Sequence, residues 1–328
     1  MGVQRLVPVE GKDPLRSTRR LLADVWTHAG LDGIYAPAWE PGSPYPRPAL
    51  RRDRQALEEI DPFATVMTEN AAAGAASLLK DSPDKSFALV LRPCELRSLE
   101  HLLPSKGIKK GRSLLTSTDC PATFPLKDFA WRVHETPDRD KPTRDALHFA
   151  AQGGILPSRY RPSCQMCDHP YPQGADIQIE VLGIETSRHL VIDVRDDELA
   201  ARIGLNGEFS QVVPPEVTER RDRILQKLSD WRQQSRAYTV THLLETDASP
   251  EALRKHVSEC PTCRGRLESH CPSFDQSWLA PAETKLDALR EWLVSCGGCG
   301  MCDHDCPYGY PLSAVITSLR GRAAAGLL

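Results

Sequence analysis

The stretch CGGCGMCDHDCP, residues 296–307, sets Cys296, Cys299, Cys302 and Cys306 in an unbroken C-x2-C-x2-C-x3-C-P run. That is the spacing of a bacterial ferredoxin half-site. A cubane cluster needs several thiolates on a tightly turning backbone, and short steps between cysteines supply them. Gly297, Gly298 and Gly300 let that backbone fold closely and aim amides at sulfur. A disulfide knot or a structural zinc site also uses cysteine, but neither is characterised by four thiols so spaced with proline behind the last. The run therefore reads as a [4Fe-4S] site.

Upstream, SECPTCRGRLESHCPSF, residues 258–274, is a damaged copy of the same run. Cys260 and Cys263 are correctly spaced, Arg266 stands at the third position, and Cys271 arrives one residue late, before Pro272. Arginine stays protonated and cannot bind iron. In two-cluster ferredoxins the fourth cysteine of each run serves the other cluster. By that rule the intact site takes Cys296, Cys299 and Cys302 with Cys271, and the altered site takes Cys260, Cys263 and Cys306. Three thiolates can hold a [3Fe-4S] cluster, or a [4Fe-4S] cluster with a different fourth ligand, for which His270 is a candidate. Two other readings stay open. His256, Cys260 and Cys263 with Cys271 would make a zinc site, since imidazole and thiolate both suit zinc. Alternatively the second site is lost and Cys260 and Cys263 are relics.

The 328 residues are 40% hydrophobic and 26% charged, with a net charge of −3. The length suits two or three domains. The charge implies no general attraction to nucleic acid or membrane, and RPALRRDRQ near residue 50 reads as a solvated basic face. No apolar run is long enough to span a bilayer, and the first twenty residues hold no apolar signal core. Gly2 is not followed by the serine or threonine that myristoylation needs. Eleven cysteines in such a chain favour metal and redox chemistry in a reducing cytoplasm over disulfides.

The first half reads as α/β. TRRLLADVWTHAG predicts a helix closed by Gly30, followed by a short strand in GIYAPA; AAAGAASLLK predicts another helix. FALVL, residues 87–91, is a continuous apolar run of the buried-strand type. It leads to Cys94 and a helix with Leu96, Leu99 and Leu102 at helical spacing. RSLLTSTDC is a strand ending on Cys120, and ADIQIEVLGI and HLVIDV form a strand pair. Residues 125–162 read as a surface excursion, and 215–246 as a long exposed helix. The fold class is an α/β core with a C-terminal ferredoxin-like, partly degenerate dicluster iron–sulfur module. The divisions are 1–214 for the core, 215–249 for a helical linker and 250–328 for the module.

Cys94, Cys120, Cys164 and Cys167 remain. Two lie at predicted strand ends, where open α/β sheets bind ligands, and two form a C-x2-C loop. They could hold a further cluster. Cys94 and Cys120 could instead be small buried hydrophobes, and the C-x2-C could be redox-active.

The blocks VLRPCELRSLEHL, TSTDCPATFPLKDFAW and RPSCQMCDHPYPQGADIQIEVLGI, with the ferredoxin-like tail and IDPFATVMTENAAAGAASLL, resemble the coenzyme F(420) hydrogenase/dehydrogenase beta-subunit family. The resemblance runs from about residue 15 to 315. It implies an α/β core that binds a flavin (FAD) and a [4Fe-4S] cluster, with Cys94, Cys120, Cys164 and Cys167 as cluster ligands. It also implies other redox subunits as partners. A Gly-Gly pair with Ser or Thr near the N-terminus, associated with flavin-handling members, is not found. The leading expectation is a cytoplasmic electron-transfer subunit of a larger oxidoreductase, such as a hydrogenase, formate dehydrogenase or heterodisulfide reductase-like complex. The alternatives are a stand-alone flavin and iron–sulfur enzyme acting on coenzyme F(420) or a similar hydride carrier, and a zinc-stabilised non-redox scaffold.

Overall fold

The computed structural model describes the chain apart from residues 1, 137, 155–158, 207–210, 243–246, 280–285, 304–305 and 307–308. Among the described residues the strands are β1 (Val3–Pro8), β2 (Gly33–Ala38), β3 (Arg47–Arg51), β4 (Phe87–Leu91), β5 (Leu114–Thr118), β6 (Ile177–Glu180), β7 (His189–Val194) and β8 (Gln211–Val212). They form one mixed sheet in the order β3-β2-β4-β5-β6-β7-β1-β8. The central strands β2, β4, β5 and β6 run parallel, with Ile34 opposite Ala88, Ala88 opposite Leu114 and Thr116 opposite Ile177. β3 on one side, and β7, β1 and β8 on the other, are antiparallel.

Every residue of β2, β4 and β5 is buried. Parallel strands carry helices on both faces, so their sequences become continuous apolar runs. The period of two still decides which core each side chain joins. Ala88 and Val90 of β4 pack with Leu22, Trp26 and Ile192 on one face. Phe87, Leu89 and Leu91 pack with Ala72, Leu96 and Leu99 on the other. Helix Pro14–Ala29 covers the first face. Its start is fixed by Asp13 accepting from the Arg16 amide and by Pro14 at the first position; Gly30, at φ 59°, closes it. Helices Ala71–Asp81 and Pro93–Ser105 cover the second face.

One expectation is corrected. Residues 125–162 are not a plain surface excursion: they hold helices Leu126–His134 and Lys141–Ala150, which bury Phe129 and Leu147. Pro125, Pro142 and Pro162 sit at helix starts, where a missing N–H costs nothing, and 137 and 155–158 lie outside the described residues. The basic stretch near residue 50 begins in edge strand β3 and keeps Arg47, Arg52 and Arg54 exposed, while Arg51 binds Glu59 at 3.0 Å and the Trp39 carbonyl at 3.0 Å.

The long helix is Pro215–His242, with one face on the core; the rest of its expected range, 243–246, lies outside the described residues. Arg221 is its main anchor. The guanidinium donates to Asp119 at 2.6 and 3.0 Å and lies 3.2 Å from Glu180. Asp119, directly before Cys120, also accepts from the Val181 and Leu182 amides at 2.7 and 2.8 Å.

After it, helices Pro250–Glu259, Pro261–His270, Leu286–Ser295 and Leu312–Ala324 enclose a separate core of Leu253, Val257, Leu267, Trp292 and Leu319. Among its described residues this region is helix and loop, so its ferredoxin-like reading rests on cysteine spacing alone. No helix among the described residues is long and apolar enough to cross a membrane.

Candidate metal centres

Parallel neighbours β4 and β5 deliver two thiols to the same edge of the sheet. Past Leu91, Arg92 turns the chain and Pro93 opens the helix that carries Cys94. Buried Arg92 is held by Glu95 at 3.1 Å and by the Ala64 carbonyl at 2.9 Å, which fixes the helix start. Past β5, the Cys120 amide donates to the Pro170 carbonyl at 2.7 Å. Cys164 sits in the short helix Pro162–Gln165, and Cys167 follows it. The four thiols line one pocket together with Arg92, Arg161 and Arg232.

The pocket is electrostatically unusual. Burial pushes the Cys94 thiol well up, helped by Glu95 and by Cys299. Burial, then Cys164, pushes Cys120 up to about 12. Burial also opposes ionisation of Cys164, but the Arg161 guanidinium and the Thr123 hydroxyl, 3.2 Å from the sulfur, outweigh it and hold that thiol below its ordinary value. Arg161 is itself buried. Its hydrogen bonds go to the Thr123 hydroxyl at 2.8 Å, the sulfurs of Met301 and Met67 at 3.1 and 3.4 Å, and Cys164 at 3.9 Å.

A second thiol group lies against the first. Burial and mutual repulsion raise Cys302, with Cys296, Cys299 and Cys271 all acting on it after Asp303. Cys271 is pushed up to about 12 by burial, then by Cys296 and Cys299. Cys271 therefore lies with the intact run, in the grouping that the exchange of fourth cysteines requires. Nε1 of buried Trp292 lacks a hydrogen-bond partner among the described residues and favours ionisation of the Cys271 sulfur. The 296–302 loop is pressed onto the core. Arg97 donates to the Gly297 carbonyl at 3.0 Å, and Arg320 to the Cys296 carbonyl at 2.9 Å. Gly297 is needed there because a Cβ would fall 2.3 Å from the Cys94 carbonyl and 2.3 Å from Ser98 Oγ. Gly300, at φ 65°, would set a Cβ 2.1 Å from Ser163 Oγ. Cys299 and Gly298 thereby reach the pocket of Cys94, Cys120, Cys164 and Cys167.

The third group contains Cys260, Cys263 and Cys306. Cys263 is pushed up to about 12 by burial, then by Cys260 and by Cys306. The backbone N–H groups of Cys263 and Thr262 at the start of helix Pro261–His270 hold Cys260 below its ordinary value, the Cys263 amide acting most strongly. That helix explains the damaged run. At 1.5 Å per residue it separates Cys263 from Cys271 by roughly 12 Å, so the two serve different groups. It also puts His270 at the Cys271 end, which corrects the expectation of His270 as a ligand beside Cys260. The nearby histidine is His256, with Nε2 3.3 Å from Cys263 Sγ. The zinc reading that used Cys271 is corrected in the same way, because Cys271 faces Cys296 and Cys299. Pro307, behind Cys306, lies outside the described residues. All eleven cysteines are free of disulfides.

Neither a family model nor a curated protein matches this sequence. Among solved structures, a chain of the F420-reducing [NiFe] hydrogenase complex from Methanosarcina barkeri, determined in a xenon derivatization study, aligns with a TM-score of 0.53. It is 13% identical, and the alignment covers 74% of this chain and 94% of that one. The likeness is one of fold.

Sequence reasoning missed the arginines. Arg161 was legible as a cation beside the C-x2-C in RYRPSCQMC. Arg97, Arg232 and Arg320 carry no local signal, because they reach the cysteine segments only through packing.

Proposed function

We propose that the chain is an iron–sulfur electron-transfer subunit of a larger oxidoreductase complex of the hydrogenase, formate dehydrogenase or heterodisulfide reductase kind. Cys94, Cys120, Cys164 and Cys167 hold one [4Fe-4S] cluster, and Cys271, Cys296, Cys299 and Cys302 hold another. The observation that carries this reading is the meeting of the two four-thiol groups at Cys94 and Cys299. The fold likeness to a chain of a hydrogenase complex supports it. The donor chemistry also fits: buried thiols whose ionisation is unfavourable alone become stable thiolates beside a bound cation.

Bound clusters would supply reversible one-electron transfer at potentials tuned by burial and by hydrogen bonds to sulfur. The chain's own residues set those conditions. Arg161 brings a fixed positive charge to Cys164. The side chains of Asn70 and Trp292 favour ionised sulfur at Cys299 and Cys271 respectively. Met67 and Met301, both buried, keep water from the junction. The partners are the redox subunits that deliver and remove electrons.

The test is anaerobic purification with iron, sulfide and flavin quantitation, followed by paramagnetic resonance of the reduced protein. The expected result is about eight irons per chain in two four-iron clusters, with reduced centres magnetically coupled through their proximity. A folded protein that stays iron-free after reconstitution overturns the reading. A yellow protein with stoichiometric flavin that oxidises a hydride carrier unaided favours the stand-alone enzyme instead.

A further inference from the structure

One group of donors differs in scale from the two described above. The ligand atoms of His256, Cys260 and Cys263 all lie within 4.8 Å of one another. Among the described residues no other three histidine, cysteine or carboxylate ligand atoms meet that condition, including those of the two four-thiol groups. The difference is chemically informative. A cubane binds each thiolate on a separate iron and holds the sulfurs apart. A single tetrahedral ion gathers its donors: with Zn–S of about 2.3 Å and Zn–N of about 2.0–2.1 Å, they sit roughly 3.5–3.8 Å from each other. The His256 Nε2 to Cys263 Sγ separation is 3.3 Å, on the single-ion scale.

The local structure gives the same answer. His256 is in the last turn of helix Pro250–Glu259; Cys260 is both the end of that helix and the cap of helix Pro261–His270; Cys263 is in the first turn of the second. The donors are fixed by two rigid helices and the joint between them, not by a loop that turns around a cubane. The chain returns beside them. Tyr310 stacks on the His256 ring at 3.5 Å and 11°, and Cys306, four residues earlier, lies against Cys263. Cys263 is buried and packs in the core of the C-terminal region with Leu253, Val257 and Leu267.

We propose that the gathered donors His256, Cys260 and Cys263, with Cys306 from the end of the intact cysteine run as the fourth, bind a single structural zinc ion that ties both helices to that run. The set is a mixed Cys3His site, a donor combination used by structural zinc. Binding displaces the thiol protons and involves no change of oxidation state. The tie acts where it is useful, since this helical region is small and has its own core. Arg266 stands within the second helix and is not a ligand. The inference goes beyond the electron-transfer reading, and iron content reports on that reading separately.

The test uses the full chain, reconstituted anaerobically with iron and sulfide and then supplied with zinc or cobalt(II). Wild type is expected to hold about one zinc per chain besides its iron. With cobalt it should show the intense visible bands of a tetrahedral thiolate site. His256→Ala should lose the zinc and the cobalt bands while keeping the iron and its paramagnetic signals. His256→Cys should keep the zinc, because four thiolates also make a closed zinc site, and this separates loss of a ligand from loss of the fold. Cys299→Ser should lose iron and keep zinc. A wild type that binds no zinc or cobalt overturns the proposal. So does a His256→Ala protein that loses iron or changes a cluster spectrum, because His256 would then be a cluster ligand.

Discussion

Replacing Gly297 by alanine tests the junction on which the electron-transfer reading depends. The added methyl would fall 2.3 Å from the Cys94 carbonyl oxygen and 2.3 Å from Ser98 Oγ. An ordinary carbon–oxygen contact is about 3.3 Å or more, so the loop must withdraw by roughly 1 Å. The Ser98 hydroxyl can rotate away, but the Cys94 carbonyl belongs to helix Pro93–Ser105 and cannot. Overpacking of this kind costs about 1–3 kcal/mol. With a urea slope of about 3 kcal/mol per molar, the unfolding midpoint should drop by roughly 0.3–1 M. Gly265→Ala is the control. Gly265 lies inside helix Pro261–His270 and an added Cβ there meets nothing within 4 Å. Alanine should therefore stabilise it by about 0.5–1 kcal/mol. Both variants are unfolded in urea under anaerobic conditions, and the magnetic coupling between reduced centres is recorded for each. Gly297→Ala should lower the midpoint and weaken the coupling; Gly265→Ala should do neither. A Gly297→Ala protein as stable as wild type with unchanged coupling would refute the close approach of the loop to Cys94.

Cys271→Ala should damage the same spectroscopic species as Cys296→Ala and leave the species of Cys94→Ala intact; damage to the Cys94 species instead would contradict the grouping. Arg221→Met leaves Asp119 buried without its cation, which should cost about 3–5 kcal/mol in chemical unfolding; an effect below 1 kcal/mol would show that helix Pro215–His242 is not anchored there. Buried Asp61 has its carboxyl pushed up to about 6 by burial, against the hydrogen bond from Thr143 at 2.6 Å. The fold then holds a proton that the unfolded chain releases above its ordinary value near 3.8. Stability from this group is full below that value and is lost as pH rises through about 6, a fall of about 3 kcal/mol. Asp61→Asn should flatten that slope in urea midpoints taken between about pH 4 and 7, and an unaltered slope would exclude the assignment.

The α/β class was legible because central parallel strands advertise themselves: FALVL is apolar at every position, as a strand covered on both faces must be. β1 and β3 escaped notice because neither is a continuous apolar run: both are only partly buried and carry arginine, Arg5 in β1 and Arg47 and Arg51 in β3. The intact cysteine run was legible from spacing alone, since its geometry is local. The convergence of Cys94, Cys120, Cys164 and Cys167 was not, because it depends on β4 and β5 being neighbours and on the Cys164 segment folding over their ends. His256 was legible one helical turn before Cys260, and the zinc reading already joins it to Cys260 and Cys263. Cys306 is assigned to the same pair only through the exchange of fourth cysteines, because its return to Cys263 depends on tertiary packing. What spacing did not show is that the damaged run folds as helix Pro261–His270, which puts Cys260 and Cys263 at one end and Cys271 at the other.

The charge balance around Arg161 joins these observations. A guanidinium excluded from water is costly unless something nearby offsets it. Arg92 has Glu95 and Arg221 has Asp119, each a buried carboxylate within hydrogen-bond reach. The partners of Arg161 are a hydroxyl, two thioethers and the Cys164 thiol. Of these only the thiol can become an anion. The cation and the low-lying Cys164 thiol therefore account for each other, and the same cation faces Cys299 and Cys94 across the pocket. Four thiolates around a cluster carry a net negative charge that burial opposes. Arg161, Arg92 and Arg232 set a positive lining against it. A pocket meant only to pack cysteines as small hydrophobes would gain nothing from an arginine aimed at sulfur. The arrangement suits thiols that are ionised, which is the state the proposed cluster requires of them.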